Sequence, residues 1–343
     1  VLTPVANSKG SHRFATCVAL VALGLTSCHA MDATISGLSG PDAGHADAGS
    51  DAGSMAPDAG SHVLDAGSDA GVDAGAFVPD AGSTVPDAGL PTPDAGSITC
   101  SESYCASWPL VFDDEFDGTG LVDATKWTYE VGFIRNNEAQ YYTDARTENA
   151  RQENGNLVIE AIAESYMGAS YTSASVTTQN LFGFGYGRLE VRAKIPTGRG
   201  SWPAIWLLGN NIDSVGWPTC GEVDVMENVG FTPDTIYCTI HVADSSGNDQ
   251  GFGGQRDFTA PTPFDDFHLY TMDFSTTQIV LAVDGNVVNT YANDGTHPWP
   301  FDQTLYLIIN LAIGGSWGGQ QGIDDSIFPL SYEIDYVRYF QSP

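Results

Sequence analysis

Gly221-Glu222-Val223-Asp224-Val225-Met226-Glu227-Asn228 places three carboxylates within six consecutive β-rich residues. Side chains alternate across a strand, so Glu222 and Asp224 share one face while Val223 and Val225 turn to a core. Strict alternation sends Glu227 to the core face. One extra residue, a β-bulge near Val225-Met226, returns it to the side of the other two acids. The expectation is a half-buried, bulged strand in an all-β domain. The competing reading is a solvated acidic strand face.

Clustered acids repel one another, and fold stability gives little reason to gather three of them. Cleavage of a glycosidic bond does give one. It needs one carboxylate to attack the sugar and one carboxylic acid to protonate the leaving oxygen. Three acids so close cannot all ionise cheaply, so at least one is held protonated.

The surroundings of this segment are a series of short β patterns separated by Gly, Asn, Asp and Pro turns. The strongest cover residues 157–161, 188–193, 205–208, 222–226, 236–242, 269–273, 279–283, 305–311 and 331–339. Asp284-Gly285, between 279–283 and Val287-Val288, is a tight hairpin signal. No segment sustains a helical period. Many short strands with frequent turns imply a sandwich of two antiparallel sheets.

The chain has 343 residues, and the first hundred cannot build a core. Lys9, His12 and Arg13 precede an apolar run over 14–25, too short for a stable membrane-spanning helix, so 1–28 reads as a secretory signal segment. Residues 29–99 are dominated by ten Asp-Ala-Gly triplets, with Phe77 as their single aromatic residue. Such a segment cannot offset its ordering entropy and reads as a linker. The triplets recur at spacings of four to seven, which a regular Ca²⁺-binding solenoid would not tolerate. Residues 100–343 form one domain and hold nearly all of the 14 Tyr, 16 Phe and 7 Trp. Of the net charge of −31, residues 1–99 carry −9 and the domain about −22. That disfavours nucleic acid and other polyanions as partners and suits a neutral glycan. Cys100 and Cys105 are placed for a small disulfide clip in an exported protein. If His241 points into a cleft, Cys220 and Cys238 lie on opposite faces and do not pair, and no cysteine spacing reads as a zinc site.

Glu222-Val223-Asp224-Val225-Met226-Glu227 resembles the E-x-D-x-x-E signature of glycoside hydrolase family 16, and Gly216-Trp217-Pro218-Thr219-Cys220-Gly221 resembles its laminarinase branch. Further matches follow in order. They are Asp114 to Gly118, Asn136 to Thr143, Asn154 to Ala161, Tyr186 to Glu190, Trp202 to Trp206, Val283 to Gly285 and Asp335 to Arg338. The resemblance spans roughly 106–341. It implies a β-jelly roll with an open concave cleft and retaining endo-hydrolysis of β-1,3-glucan, with mixed-linkage β-1,3-1,4-glucan as a further substrate. Glu222 would be the nucleophile, Glu227 the acid and then base, and Asp224 the group that hydrogen-bonds Glu222. Trp202 and Trp206, i and i+4 on a strand, would be sugar platforms. The resemblance adds Asn137 and His241 as cleft residues, and Trp217 and Trp317 are further candidates. Either tryptophan of the first pair could equally be core, and a lone His is more often structural. Ser175 stands where the family commonly has Arg. No cofactor is needed for catalysis. A structural Ca²⁺ is implied at Glu115, the Gly155 carbonyl and Asp335.

Leu25-Thr26-Ser27-Cys28 resembles a bacterial lipobox, which implies a cell-surface, outer-membrane lipoprotein anchored through Cys28; the alternative is a plain secreted protein. The expected state is a monomer. Two other functions compete with the glucanase: another family 16 polysaccharide hydrolase or transferase, such as an agarase, and a non-catalytic glucan-binding lipoprotein.

Overall fold

A computed structural model describes residues 98–343. The signal segment at 1–28, the lipid site at Cys28 and the linker up to residue 97 lie outside the described residues. All nine strand patterns are strands, within two sheets. The larger sheet runs in the order Asn286–Ala292, Gln278–Val283, His268–Phe274, Gly187–Lys194, Leu330–Gln341, Asn156–Tyr166, Ala169–Ser173, Gln140–Tyr142. Leu110–Asp114 and Ala150–Glu153 pair alongside that path. The seven-stranded sheet runs Asp249–Asp257, Thr235–Ala243, Glu222–Glu227, Ser201–Gly209, Leu305–Ile313, Ser175–Thr177, Thr128–Tyr129. The antiparallel expectation has one exception: Gln140–Tyr142 runs parallel to Ala169–Ser173. The fold is the β-jelly-roll sandwich with its open cleft.

Alternate residues from the two sheets meet in a single core. Ile205, Leu207, Val223, Val225, Ile240, Leu307 and Ile309 pack toward Leu189, Val191, Tyr270, Met272, Ile334 and Val337. Each such side chain contributes about 1.5–3 kcal/mol by leaving water. Ser201–Gly209 and Leu305–Ile313 are buried at every position. Their inner faces join the core, and their outer faces carry a second layer that includes Ala204, Trp206, Leu208, Tyr306 and Ile308. Burial on both faces is why these two segments read as continuous apolar runs rather than alternating ones.

Asp284 (φ 50°) and Gly285 (φ 71°) form the expected hairpin turn, since two consecutive positive φ angles match the twist of the flanking strands. Cys100 and Cys105 are disulfide-bonded, with Cα atoms 5.7 Å apart. The clip is fastened to the larger sheet by the buried Arg188, which donates to Glu190 Oε1 (2.8 Å), Asp273 Oδ2 (2.7 Å) and Tyr104 Oη (2.8 Å). Cys220 and Cys238 are free; Cys220 joins the outer layer and Cys238 the inter-sheet core, on opposite faces as alternation requires.

Candidate active site

The acid strand is third in the seven-stranded sheet, so both of its edges are paired. Against Thr235–Ala243 the register runs Glu222↔His241, Asp224↔Thr239, then Glu227↔Tyr237. Three steps on the acid strand therefore answer two on its neighbour. Against Ser201–Gly209 the slip falls between Asp224↔Trp206 and Met226↔Ile205. Both registers place the bulge at Val225-Met226, and both of those residues are buried in the core. Glu227 is thereby returned to the face of Glu222 and Asp224.

Each acid has different company. Glu222 accepts from Trp217 Nε1 at 2.7 Å, and Glu227 accepts from Trp202 Nε1 at 3.0 Å. Asp224 is buried; its Oδ2 has no aligned hydrogen-bond partner, and His241 Nε2 lies 3.4 Å away. His241 Nδ1 is hydrogen-bonded to Asp249 Oδ1 at 2.9 Å. A buried carboxylate without a donor is costly. Burial first, and then the charges of Glu222 and Glu227, hold Asp224 well above the usual carboxylate range. Burial also raises Glu222, while the charge of His241 and the Trp217 indole pull it back. Glu227 is pushed up to about 7, mainly by burial, with His241 and the Trp202 indole opposing and Glu222 adding to the rise. Burial alone would lower His241, yet the Asp249 hydrogen bond and the charges of Glu222, Asp249 and Glu227 hold it up at about 9. At neutral pH the cleft therefore holds an imidazolium and a Glu227 carboxyl poised near its midpoint, beside two carboxyls whose proton affinities are raised.

Trp202 and Trp206 share the outer face, and each is about 8% exposed. Trp317 packs edge-on against Trp202 (5.6 Å) and Tyr237 (5.0 Å), which makes an aromatic wall beside Glu227. Trp217 closes the Glu222 side, 6.3 Å from the His241 ring. One face of Trp206 is already covered by the guanidinium of Arg135, 4.8 Å from the ring centroid. Its Nε1 donates to Asn310 Oδ1 at 2.8 Å. Asn137 is exposed, in a left-handed conformation (φ 52°). Its loop is tied to the Gly314–Gly319 segment by the Ser316 amide, which donates to the Asn136 carbonyl at 2.8 Å. Ser175 donates to Glu130 Oε2 at 2.6 Å, and Glu130 is also ion-paired with Arg135. Arg135, Glu130, Asp249 and Asn310 were not legible as cleft residues, because no motif or periodicity marks them.

Asp249 comes from a strand the sequence hid. Asp249–Asp257 is interrupted by Gly251, Gly253 and Gly254, which read as loop residues. Gly254 is needed for clearance, and Gly251 relieves a tight contact. A Cβ at Gly251 would lie 3.2 Å from His241 Cε1, and one at Gly254 would lie 2.2 Å from the Val288 carbonyl oxygen.

The residues expected to hold Ca²⁺ are engaged otherwise. Arg338 Nε and Nη2 donate to the two carboxylate oxygens of Glu115 at 2.7 and 2.6 Å, and Asp335 is ion-paired with Arg192. Two carboxylates already neutralised by guanidinium groups do not fit a dication, and no chemistry is routed through one. Among the described residues, Glu222, Asp224 and His241 each present a donor atom within 4.8 Å of the others; the acid–base environment above accounts for that grouping.

A family model described as glycosyl hydrolases family 16 matches residues 137–338. The chain is 44% identical over 247 residues to a beta-glucanase of Rhodothermus marinus, covering 68% of this chain and 85% of that protein. It is 35% identical over 264 residues to a glucan endo-1,3-beta-glucosidase of Cryptopygus antarcticus, with 69% and 94% covered. The X-ray structure of the laminarinase from Rhodothermus marinus matches with a TM-score of 0.64 at 44% identity, over 68% of this chain and 97% of that one.

Proposed function

Because the chain belongs to glycosyl hydrolase family 16 and is a glycoside hydrolase, we propose that its reaction is retaining endo-hydrolysis of β-1,3-glucan, extending to mixed-linkage β-1,3-1,4-glucan. The observation that carries this reading is the Val225-Met226 bulge, which puts Glu222 and Glu227 on one cleft face with Glu227 poised near neutral pH. Relatives named for β-1,3-glucan hydrolysis support the substrate class.

In the first step a Glu222 oxygen attacks the anomeric carbon, the glycosidic C–O bond breaks, and Glu227 gives its proton to the departing oxygen. Asp224, beside Glu222 on the same face, hydrogen-bonds it and orients it. The glycosyl ester has no charge, so the repulsion that raises Glu227 is removed and its affinity for a proton falls. Glu227 then takes a proton from water, water attacks the same carbon, and Glu222 is released. Two displacements at one carbon retain the β configuration. An open cleft admits a long chain, which suits internal cleavage. Initial rates on laminarin, lichenan and agarose, measured side by side, test the substrate. Agarose as the preferred polymer, or no hydrolysis of any of the three, would sink it.

The N-terminal segments extend the proposal. Cys28 anchors the exported enzyme, as a monomer, to the bacterial outer membrane. The anchor reading requires Cys28→Ala to release the protein from membranes, and unchanged retention would refute it.

A further inference from the structure

The acids do not account for one buried charge in the cleft. Arg135, on the loop after Thr128–Tyr129, reaches back across the outer face of the sheet to lie over Trp206. Trp206 is paired directly with Asp224, and the Arg135 charge reaches Glu222. Its Nη2 is held by Glu130, and Glu130 is held in turn by Ser175 Oγ at 2.6 Å. Among the described residues that is its only hydrogen-bond acceptor, and Nη1 is buried with no partner. A fifth of the side chain remains exposed.

A guanidinium carries five N–H donors in a rigid fork. Leaving Nη1 buried and unpaired is unfavourable, and the donors at the exposed edge stand free for a ligand. The second observation is the platform beneath it, an indole on the substrate face one residue pair from the acids. We propose that Arg135 is a substrate-binding residue, whose donors at the exposed edge of the fork take a hydroxyl of the glucan unit lying beside Trp206. Glu130 and Ser175 are its positioning residues. Ser175 thus leaves the cleft without its own cation while fixing the carboxylate that aims another. Glu130 ion-pairs with Arg135 and Glu138 contributes a nearby negative charge, so the group offers hydrogen bonds more than net charge and favours a neutral sugar over a sulfated one.

This inference rests on the β-glucan reading, and binding measurements separate the two. The probe is a β-1,3-linked glucose tetrasaccharide, titrated calorimetrically into a Glu222→Gln protein that cannot turn it over. In that background, Arg135→Met should raise Kd by roughly tenfold or more, the loss expected for hydrogen bonds from a charged donor. The pair Glu130→Gln with Arg135→Met should do the same without leaving an orphaned buried carboxylate. In the active enzyme the loss should fall on KM rather than kcat. Arg135→Lys, which keeps the charge but not the fork, should restore thermal stability without restoring affinity. A tetrasaccharide that binds the Glu222→Gln parent and the double variant equally overturns the role of Arg135 alone. No binding to the parent overturns the substrate reading together with it.

Discussion

Glu227→Gln should destroy activity and, at alkaline pH, make the protein more stable. The carboxyl sits at about 7 in the fold against an ordinary 4.5, chiefly because it is buried. Its folded-state pKa is raised, so the fold holds a proton that the unfolded chain gives up. Below about 4.5 both states are protonated and the site costs nothing. As pH rises from there to about 7, the cost grows, and above 7 it is complete. At ~1.36 kcal/mol for each tenfold change in proton affinity, the ceiling is about 3.4 kcal/mol. Glu227 shares its field with Glu222 and Asp224, so about 1–3 kcal/mol is the working figure. Gln is neutral, has the same shape, and keeps an oxygen for the Trp202 indole. For a domain of this size, ~2–4 °C accompanies each kcal/mol. Tm of Glu227→Gln should therefore exceed that of the parent by roughly 3–10 °C at pH 8, and the two should converge near pH 4.5. Melting both proteins by scanning calorimetry from pH 4 to 9 tests this, with kcat on laminarin measured on the same samples. A variant that is equally or less stable at pH 8 would refute the buried, pKa-raised carboxyl on which the acid role depends.

Four further outcomes follow from the same geometry. Trp202→Phe removes a donor that favours the charged form of Glu227, so the alkaline limb of kcat/KM should move up by roughly one pH unit or less; an unmoved limb would assign it to another group. His241→Gln removes a cation held to about 9 that lowers both Glu222 and Glu227, so both limbs should shift upward and kcat/KM at pH 6 should fall. Glu222→Gly should be inactive on glucan yet regain turnover with a glycosyl fluoride donor, whereas no rescue would mean that Glu222 is not the attacking group. Proton NMR of the first-formed reducing ends should show β-anomer before mutarotation, and α-anomer first would require a single displacement.

The sequence was most informative where one physical rule acted alone. Alternation with one residue too many located the bulge at Val225-Met226, and Asp284-Gly285 located a turn that requires two positive φ angles. It was silent where tertiary context decided. The strand carrying Asp249 is masked by glycines that give His241 and Val288 room. Trp202 and Trp206 were placed on one face, but spacing does not say what covers a face, and a loop arginine some seventy residues away covers part of Trp206. The carboxylates of Glu115 and Asp335 illustrate the same limit, because their arginine partners come from register.

Why two glutamates on one strand face should differ in role is a matter of what donates to each. Glu222 receives the Trp217 indole and the field of an imidazolium across the strand pair. Each favours its charged form, which a nucleophile needs. Glu227 receives one indole and the same imidazolium at lesser effect, and is repelled by Glu222. It is left near neutrality, as a general acid requires. The asymmetry begins with the bulge. Without the extra residue, Glu227 would face the core, out of reach of the Glu222 charge that raises it. The irregularity that brings the acids together also sets their difference, and the instability that Glu227→Gln should relieve is the thermodynamic trace of that difference.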